Sequence, residues 1–349
     1  MNSKILKLSM CLLIAVSVFV SCDPDDDGPT TTFEERDRAT QQLADKDSLQ
    51  NYFSTHYYNS GFFETGTNHS YTDIVISALE DGETVPANHT LLSNAVETRT
   101  TTYLDVAYEY YVLNINQGAG DAPKFTDLVR VKYEGSSVEN GNVFDSKVSP
   151  QDLALTGNGF STFGTIRAWQ LVMPTFNSAL DFTPNNGVID FNNFGLGVMF
   201  VPSGLAYFSS GTTGLTYDNL VFKFELLQVQ QEDHDNDGVP SYLEDLDNNL
   251  DAFDDDTDED VFPNYLDADD DGDEVLTRNE LTEATLNFAT KADAEAHVLQ
   301  ANEIFVDITE EEQTGGTIEF VLNYLILTDS DSNGIYDYLE ADIAIDYSL

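Results

Sequence analysis

Acidic side chains recur at alternate positions through the last third of this 349-residue chain. Asp233, Asp235, Asp237 and Glu244 fall at positions 1, 3, 5 and 12 of a loop that has Gly238 at position 6. Asp329, Asp331, Asn333, Asp337 and Glu340 fill positions 1, 3, 5, 9 and 12 of another, with Gly334 at position 6. Asp256, Asp258, Asp260, Asn264 and Asp267 give a third, with Val261 in the glycine place. Asp269, Asp271, Asp273, Thr277 and Glu280 give a fourth, with Glu274 there. A weaker run joins Asp245, Asp247, Asn249, Asp251 and Asp256. Hard oxygen ligands at alternate positions of a tight turn can converge on one cation, and this spacing suits Ca2+ in a structural role. The competing reading is an acidic, disordered spacer without metal.

The charge balance points the same way. Lys and Arg number 14 against 63 Asp and Glu, a formal charge of −49. Such a chain repels nucleic acid, and nothing in it suggests phosphate contacts. It needs counterions to stay compact.

A second set of residues lies between 104 and 230. Tyr133, Phe144, Asp145, Trp169, Tyr207 and Phe222 sit in the segments V-K-Y-E-G, F-D-S, T-I-R-A-W, V-P-S-G-L-A-Y and L-V-F-K-F-E-L-L. Val129, Val131 and Tyr133 alternate with Arg130 and Lys132, the period of a half-buried strand. Phe222, Phe224 and Leu226 alternate likewise with Lys223 and Glu225. Gly135 and Gly141 bracket a polar run that suits a hairpin. Ile166 and Trp169 open a short helix that Pro174 cuts off. The fold class is α+β, an antiparallel sheet around one short helix. Aromatics at these places could simply fill a core. Tyr133, Asp145 and Tyr207 need polar partners if buried, and polar groups set among rings make a small-ligand pocket.

These segments, in this order, resemble the FKBP-type peptidyl-prolyl isomerases over roughly a third of the chain. The resemblance implies Trp169 as pocket floor and Tyr133, Phe144 and Phe222 as walls. It implies that the Ile166 N–H binds a substrate carbonyl, that Asp145 makes a polar contact with Tyr133, and that the Tyr207 hydroxyl meets the substrate backbone. The implied ligands are proline-containing polypeptides, and no cofactor takes part. Rotation about a peptide C–N bond faces a barrier of about 18–20 kcal/mol. The twisted amide is less polar than the planar one, so a dry aromatic pocket favours it. The segment contains no His and needs no nucleophile. It departs from the family at Phe208, where Gly follows L-A-Y, and at Gly214-Leu215-Thr216-Tyr217, where the closing loop reads I-P-P. The run Phe182 to Gly195 exceeds the usual hairpin. Phe160 and Phe163 are both candidates for the remaining wall.

Lys4 and Lys7 precede an apolar run from Met10 to Val20, then Ser21-Cys22. The run is short for a membrane span and reads as an export signal over 1–21. Small or apolar residues before Cys22 resemble a lipoprotein box, implying acylation of Cys22; the plain alternative is a secretory signal with an incidental Cys. The acidic linker 22–33 reads equally as a surface-export tag or as solvated spacer. Residues 34–103 read as mainly helical, with Leu43, Leu49, Tyr52 and Phe53 on one face and Asp45 or Asp47 near caps. A strand-like stretch runs on from Thr100. Three acidic loops end alike, at Tyr242-Leu243-Glu244, Tyr265-Leu266-Asp267 and Tyr338-Leu339-Glu340, which resembles thrombospondin type 3 repeats within 231–349. The insert between Glu280 and Asp329 reads as helical from Ala289 to Asn302.

The whole reads as an exported lipoprotein of the outer membrane, on its periplasmic or cell-surface face, held to the membrane by a lipid anchor. Its isomerase domain, 104–230, would assist folding of exported proteins. The alternative is a peptide-binding module without turnover, carried on a calcium-stiffened stalk.

Overall fold

The strand Gly195–Val201 is buried along its whole length, so it must lie at the middle of a sheet covered on both faces. The computed structural model describes residues 34–348 apart from 81, 160, 161, 163, 314 and 315. The signal segment, Cys22, the linker 22–33, Phe160 and Phe163 lie outside the described residues. From Arg36 to Leu349 the chain forms one compact unit.

Helix α1 (Arg38–Thr55) is followed by short strands β1 (His56–Tyr58), β2 (Ile76–Ala78) and β3 (Thr90–Leu91). Then come β4 (Glu97–Tyr103), β5 (Val106–Asn116), β6 (Leu128–Ser137), β7 (Val143–Ala154), helix α2 (Arg167–Val172), β8 (Asp181–Asn185), β9 (Val188–Asn192), β10 (Gly195–Val201) and β11 (Leu220–Gln230). The main sheet is antiparallel with order β4-β5-β10-β11-β6-β7. In β6 every second residue is buried, as the alternation predicts. Val129, Val131, Tyr133, Phe222 and Phe224 pack with Ala168, Trp169 and Val172 of α2 on one face. Val198, Phe200, Tyr111 and Val221 pack with Leu49 and Phe53 of α1 on the other. An α+β fold with an antiparallel sheet on a short helix is what the sequence implied. The helix expected near the N-terminus is α1, and its packing on the opposite face of the sheet is what the sequence did not indicate.

Three local expectations are corrected. Region 34–103 holds one long helix; the rest is short strands and turns, with β4 already in the main sheet. Leu43 is exposed, and the N-cap is Asp37, which accepts from the Thr40 N–H at 2.8 Å. The stretch from Thr100 is a hairpin, because Leu104 and Asp105 take positive φ (48° and 60°) and turn the chain without Gly or Asn.

Beyond β11 the acidic loops lead to α3 (Thr277–Glu280), β12 (Leu281–Phe288), α4 (Lys291–Glu295), β13 (Glu303–Glu312) and β14 (Ile318–Leu327). The insert is therefore a three-stranded antiparallel sheet of order β12-β14-β13, and its helix is a single turn capped by Thr290. Alternating burial in β12 explains the outcome: a period of two favours a strand over a helix. Leu281, Ile304 and Leu327 of this sheet share a core with Val239 and Tyr338 from the first and last loops.

Candidate functional site

Strand β6 supplies Tyr133, β7 supplies Phe144 and Asp145, and β11 supplies Phe222. Helix α2 carries Trp169, with Ile166 at its N-cap. Tyr207 follows the 3-10 turn Ser203–Leu205. The rings form an unbroken edge-to-face series: Tyr133–Trp169 at 5.3 Å, Trp169–Phe222 at 5.3 Å, Phe222–Phe144 at 5.6 Å and Phe144–Tyr207 at 6.2 Å. These spacings suit attractive aromatic pairs. Gly135 is required behind them. A Cβ there would lie 2.6 Å from the Phe222 ring and 2.9 Å from that of Phe144. Trp169 and Phe222 are buried, while Phe144, Asp145 and Tyr207 are partly open.

The polar edge is built on Asp145. It accepts from the Tyr133 hydroxyl at 2.6 Å, and Lys147 Nζ lies 3.2 Å from its other oxygen. Burial, then the bond to Asp145, raises the Tyr133 phenol well above its usual value. Burial and the Asp145 charge also raise Tyr207, so both stay neutral. Among the described residues the Ile166 N–H donates to nothing. All seven pocket residues named from sequence thus belong to one neighbourhood, which offers rings, a neutral hydroxyl and a free N–H but no nucleophile–base pair.

The two departures are held by Arg38, the first residue of α1, and by Arg36 just before it. Phe208 adopts φ +47° and Tyr217 φ +57°, and their rings meet edge-on at 5.0 Å. Arg38 lies 4.0 Å over Phe208 and Arg36 4.4 Å over Tyr217, both within cation–π range. The Arg36 N–H also donates to the Tyr217 hydroxyl at 2.8 Å.

The acidic loops share one geometry. At position 6 the residues Gly238, Leu250, Val261, Glu274 and Gly334 all have φ between 66° and 102°. Each donates its N–H to the position-1 carboxylate, at 3.0 to 3.2 Å. The position-5 N–H donates to the position-3 side chain throughout. The turn thus takes at least one oxygen of each of these Asp residues, and both oxygens of Asp233, Asp245 and Asp329. Unpartnered buried oxygens remain on Asp235, Asp237, Asp256, Asp269, Asp271 and Asp273, and on both oxygens of Glu244 and Glu280. Unpaired buried carboxylates are costly unless a cation meets them, so this donor set fits a hard divalent ion.

Carboxylate oxygens gather within 4.8 Å of one another at Asp233/Asp235/Asp237, Asp256/Asp258/Asp260 and Asp269/Asp271/Asp273. The weaker loop gathers Asp245, Asp247 and Asp255, so Asp255 takes the place expected of Asp256. Asp267 spends an oxygen on the Asp269 N–H. In the last loop Asp337 is turned away, accepting from the Ser330 N–H at 2.8 Å and the Tyr347 hydroxyl at 2.6 Å. Glu340 accepts from Asn333 at 2.7 Å, and Asp329 and Asp331 serve the turn.

The loops lie against the sheet. Arg167, two residues before Trp169, donates to the carbonyls of Leu250 and of Asn249 (3.0 Å for the latter). The Tyr265 hydroxyl donates to the Gly157 carbonyl at 2.9 Å. Sequence reading missed both ties, and an Arg beside the expected floor residue was the one available signal for the first.

Residues 234–303 match a family model described as BamM C-terminal. No curated protein matches the chain. Similar solved structures include a peptidyl-prolyl cis-trans isomerase from Pseudomonas syringae pv. tomato, 22% identical, covering 35% of this chain and 76% of that one with a TM-score of 0.28. FkpA from Escherichia coli is 24% identical over 38% of this chain and 51% of its own, with a TM-score of 0.28. The N-terminal domain of FKBP42 from Arabidopsis thaliana is 12% identical over 35% and 87%, with a TM-score of 0.27.

Proposed function

We propose that residues 104–230 catalyse cis/trans isomerisation of X-Pro bonds in exported polypeptides. The observation that carries this reading is the ring series around Trp169, edged by Tyr133, Asp145 and Tyr207 and by the free Ile166 N–H. A proline ring enters against Trp169; the Ile166 N–H holds a substrate carbonyl; the rings exclude water from the twisting amide. The pocket binds the less polar, twisted state better than the planar one, which lowers the barrier. Residues 231–349 hold structural Ca2+. The leader over 1–21, followed at once by Cys22, supports a lipid anchor in the outer membrane. Uncatalysed isomerisation takes tens to hundreds of seconds, slow enough to limit folding.

The test is a proline-limited refolding assay with the full chain and with Trp169→Leu. Acceleration by the first and its loss in the second supports the reading. A folded wild-type protein without acceleration rejects it.

One observation favours a second reading. Phe208 and Tyr217 are fastened to the start of α1 and the residues just before it by Arg38 and Arg36, which suits a module that binds proline peptides without turnover. Peptide binding that Trp169→Leu abolishes, without rate enhancement, selects this alternative.

A further inference from the structure

Four of the loops carry the same internal brace, joining positions 2 and 9. His234 meets Ser241 at 2.8 Å, Thr257 meets Asn264 at 2.9 Å, Asp270 accepts from the Thr277 hydroxyl at 2.8 Å, and the Ser330 N–H donates to Asp337 at 2.8 Å. At position 2 the residues are His, Thr, Asp and Ser, so Asp270 alone is acidic there. The brace uses one of its oxygens. The other, Oδ1, is buried without a partner, and Asp270 as a whole is 2% exposed.

Asp270 lies in a group with Asp237 and Glu244 of the first loop, each offering one carboxylate oxygen within 4.8 Å of the others. Asp237 is 1% exposed and Glu244 is fully buried, with both Glu244 oxygens unpartnered. Ligand oxygens held by one Ca2+ at about 2.3–2.6 Å stand no more than about 4.6–5.2 Å apart, and this group falls within that limit. Three buried carboxylates cannot share that space uncompensated.

We propose that Asp270 is a ligand of the cation held by Asp237 and Glu244, so that one Ca2+ ties the first acidic loop to the fourth. This rests on the reading of 231–349 as cation-binding. The donor comes from a segment that also carries Asp269, Asp271 and Asp273, so the two sites are linked through the backbone. Filling the first loop orders position 270 and with it the fourth loop. By reciprocity the fourth loop's ion raises the first loop's affinity by the same factor.

The experiment uses the full chain, Ca2+ titration by calorimetry after chelation, and Asp270→Asn, which keeps an acceptor for Thr277. Asp270→Asn is expected to weaken at least tenfold the same site that Glu244→Gln weakens, and to leave the other sites unchanged. Full stoichiometry and affinity in Asp270→Asn overturns the inference while leaving cation binding intact. A wild-type chain that takes up no Ca2+ overturns both. Hydrogen exchange on the unmodified chain gives a readout independent of variant folding. At substoichiometric Ca2+, residues 233–244 and 269–277 gain protection together; protection of the first segment without the second rejects the link.

Discussion

The buried Asp45 carboxylate accepts from both the N–H of Ser203, at 2.9 Å, and its hydroxyl, at 2.6 Å. The contact joins the middle of α1 to the turn that leads into Tyr207. Gln41 donates to the other Asp45 oxygen at 2.7 Å, so the carboxylate is well satisfied despite its burial. Asp45→Ala leaves both Ser203 donors without this acceptor and is expected to cost about 2–4 kcal/mol, since bonds to charged groups are worth about 1.5–3 kcal/mol. Urea unfolding measures it. A loss below about 0.5 kcal/mol, the range of ordinary surface changes, would show that α1 does not brace the turn.

Gly135 makes room for the rings of Phe222 and Phe144. Gly135→Ala pushes Phe222 and Phe144 from their places, at a cost of about 1–3 kcal/mol for overpacking. Isomerisation should fall by about tenfold or more, the rate equivalent of about 1.4 kcal/mol. Unchanged turnover in the folded variant would place catalysis elsewhere.

Val261 stands at φ +92°, a conformation in which a β-branched residue is strained. Val261→Gly should stabilise the chain in Ca2+ by about 1–2 kcal/mol, the left-handed penalty for an L-residue. Its thermal midpoint should rise above that of the unmodified protein. A lower midpoint counts against the shared loop geometry.

In sequence the aromatic residues lie upstream of the acidic loops, and the family resemblance implied isomerisation without a cofactor. Arg167 changes that expectation. Its guanidinium holds carbonyls of Asn249 and Leu250, so loosening this loop strands a buried charge beside Trp169. Chelation should therefore slow isomerisation. Equal rates with and without chelator, measured on the same preparation, would refute the coupling.

Burial pushes Asp127 up to about 6 from its usual 3.8, although the Lys124 N–H donates to it at 2.7 Å. The fold therefore prefers the protonated form. Its contribution is fully present below about pH 4 and is lost as pH rises through 6. Asp127→Asn keeps an acceptor and removes that loss. The variant should gain stability relative to the parent at pH 7 but not at pH 4, in matched denaturant titrations. The same difference at both pH values would rule the titration out.

What could be read from sequence was local. Alternation in β6 and β11 set which residues face Trp169, and loop spacing named carboxylates that the fold brings together. What escaped depended on distant partners. Asp45 looks like a cap until Ser203 arrives; Asp270 looks like a spacer between ligands until Glu244 does. The turn at Leu104-Asp105 lacks the residues that usually announce one. The insert's strands were hidden by an Ala-rich stretch whose helix stops after one turn, because the chain from Glu303 onward pairs with β14 as β13.

Among the described residues strand β13 stands at the edge of its sheet, and it carries Glu303, Asp307, Glu310, Glu311 and Glu312. Two such strands brought side by side would stack carboxylate on carboxylate. The acidity of the chain thus guards this margin against joining its own kind. A chain kept at high local density would stay dispersed for the same reason that it is charged.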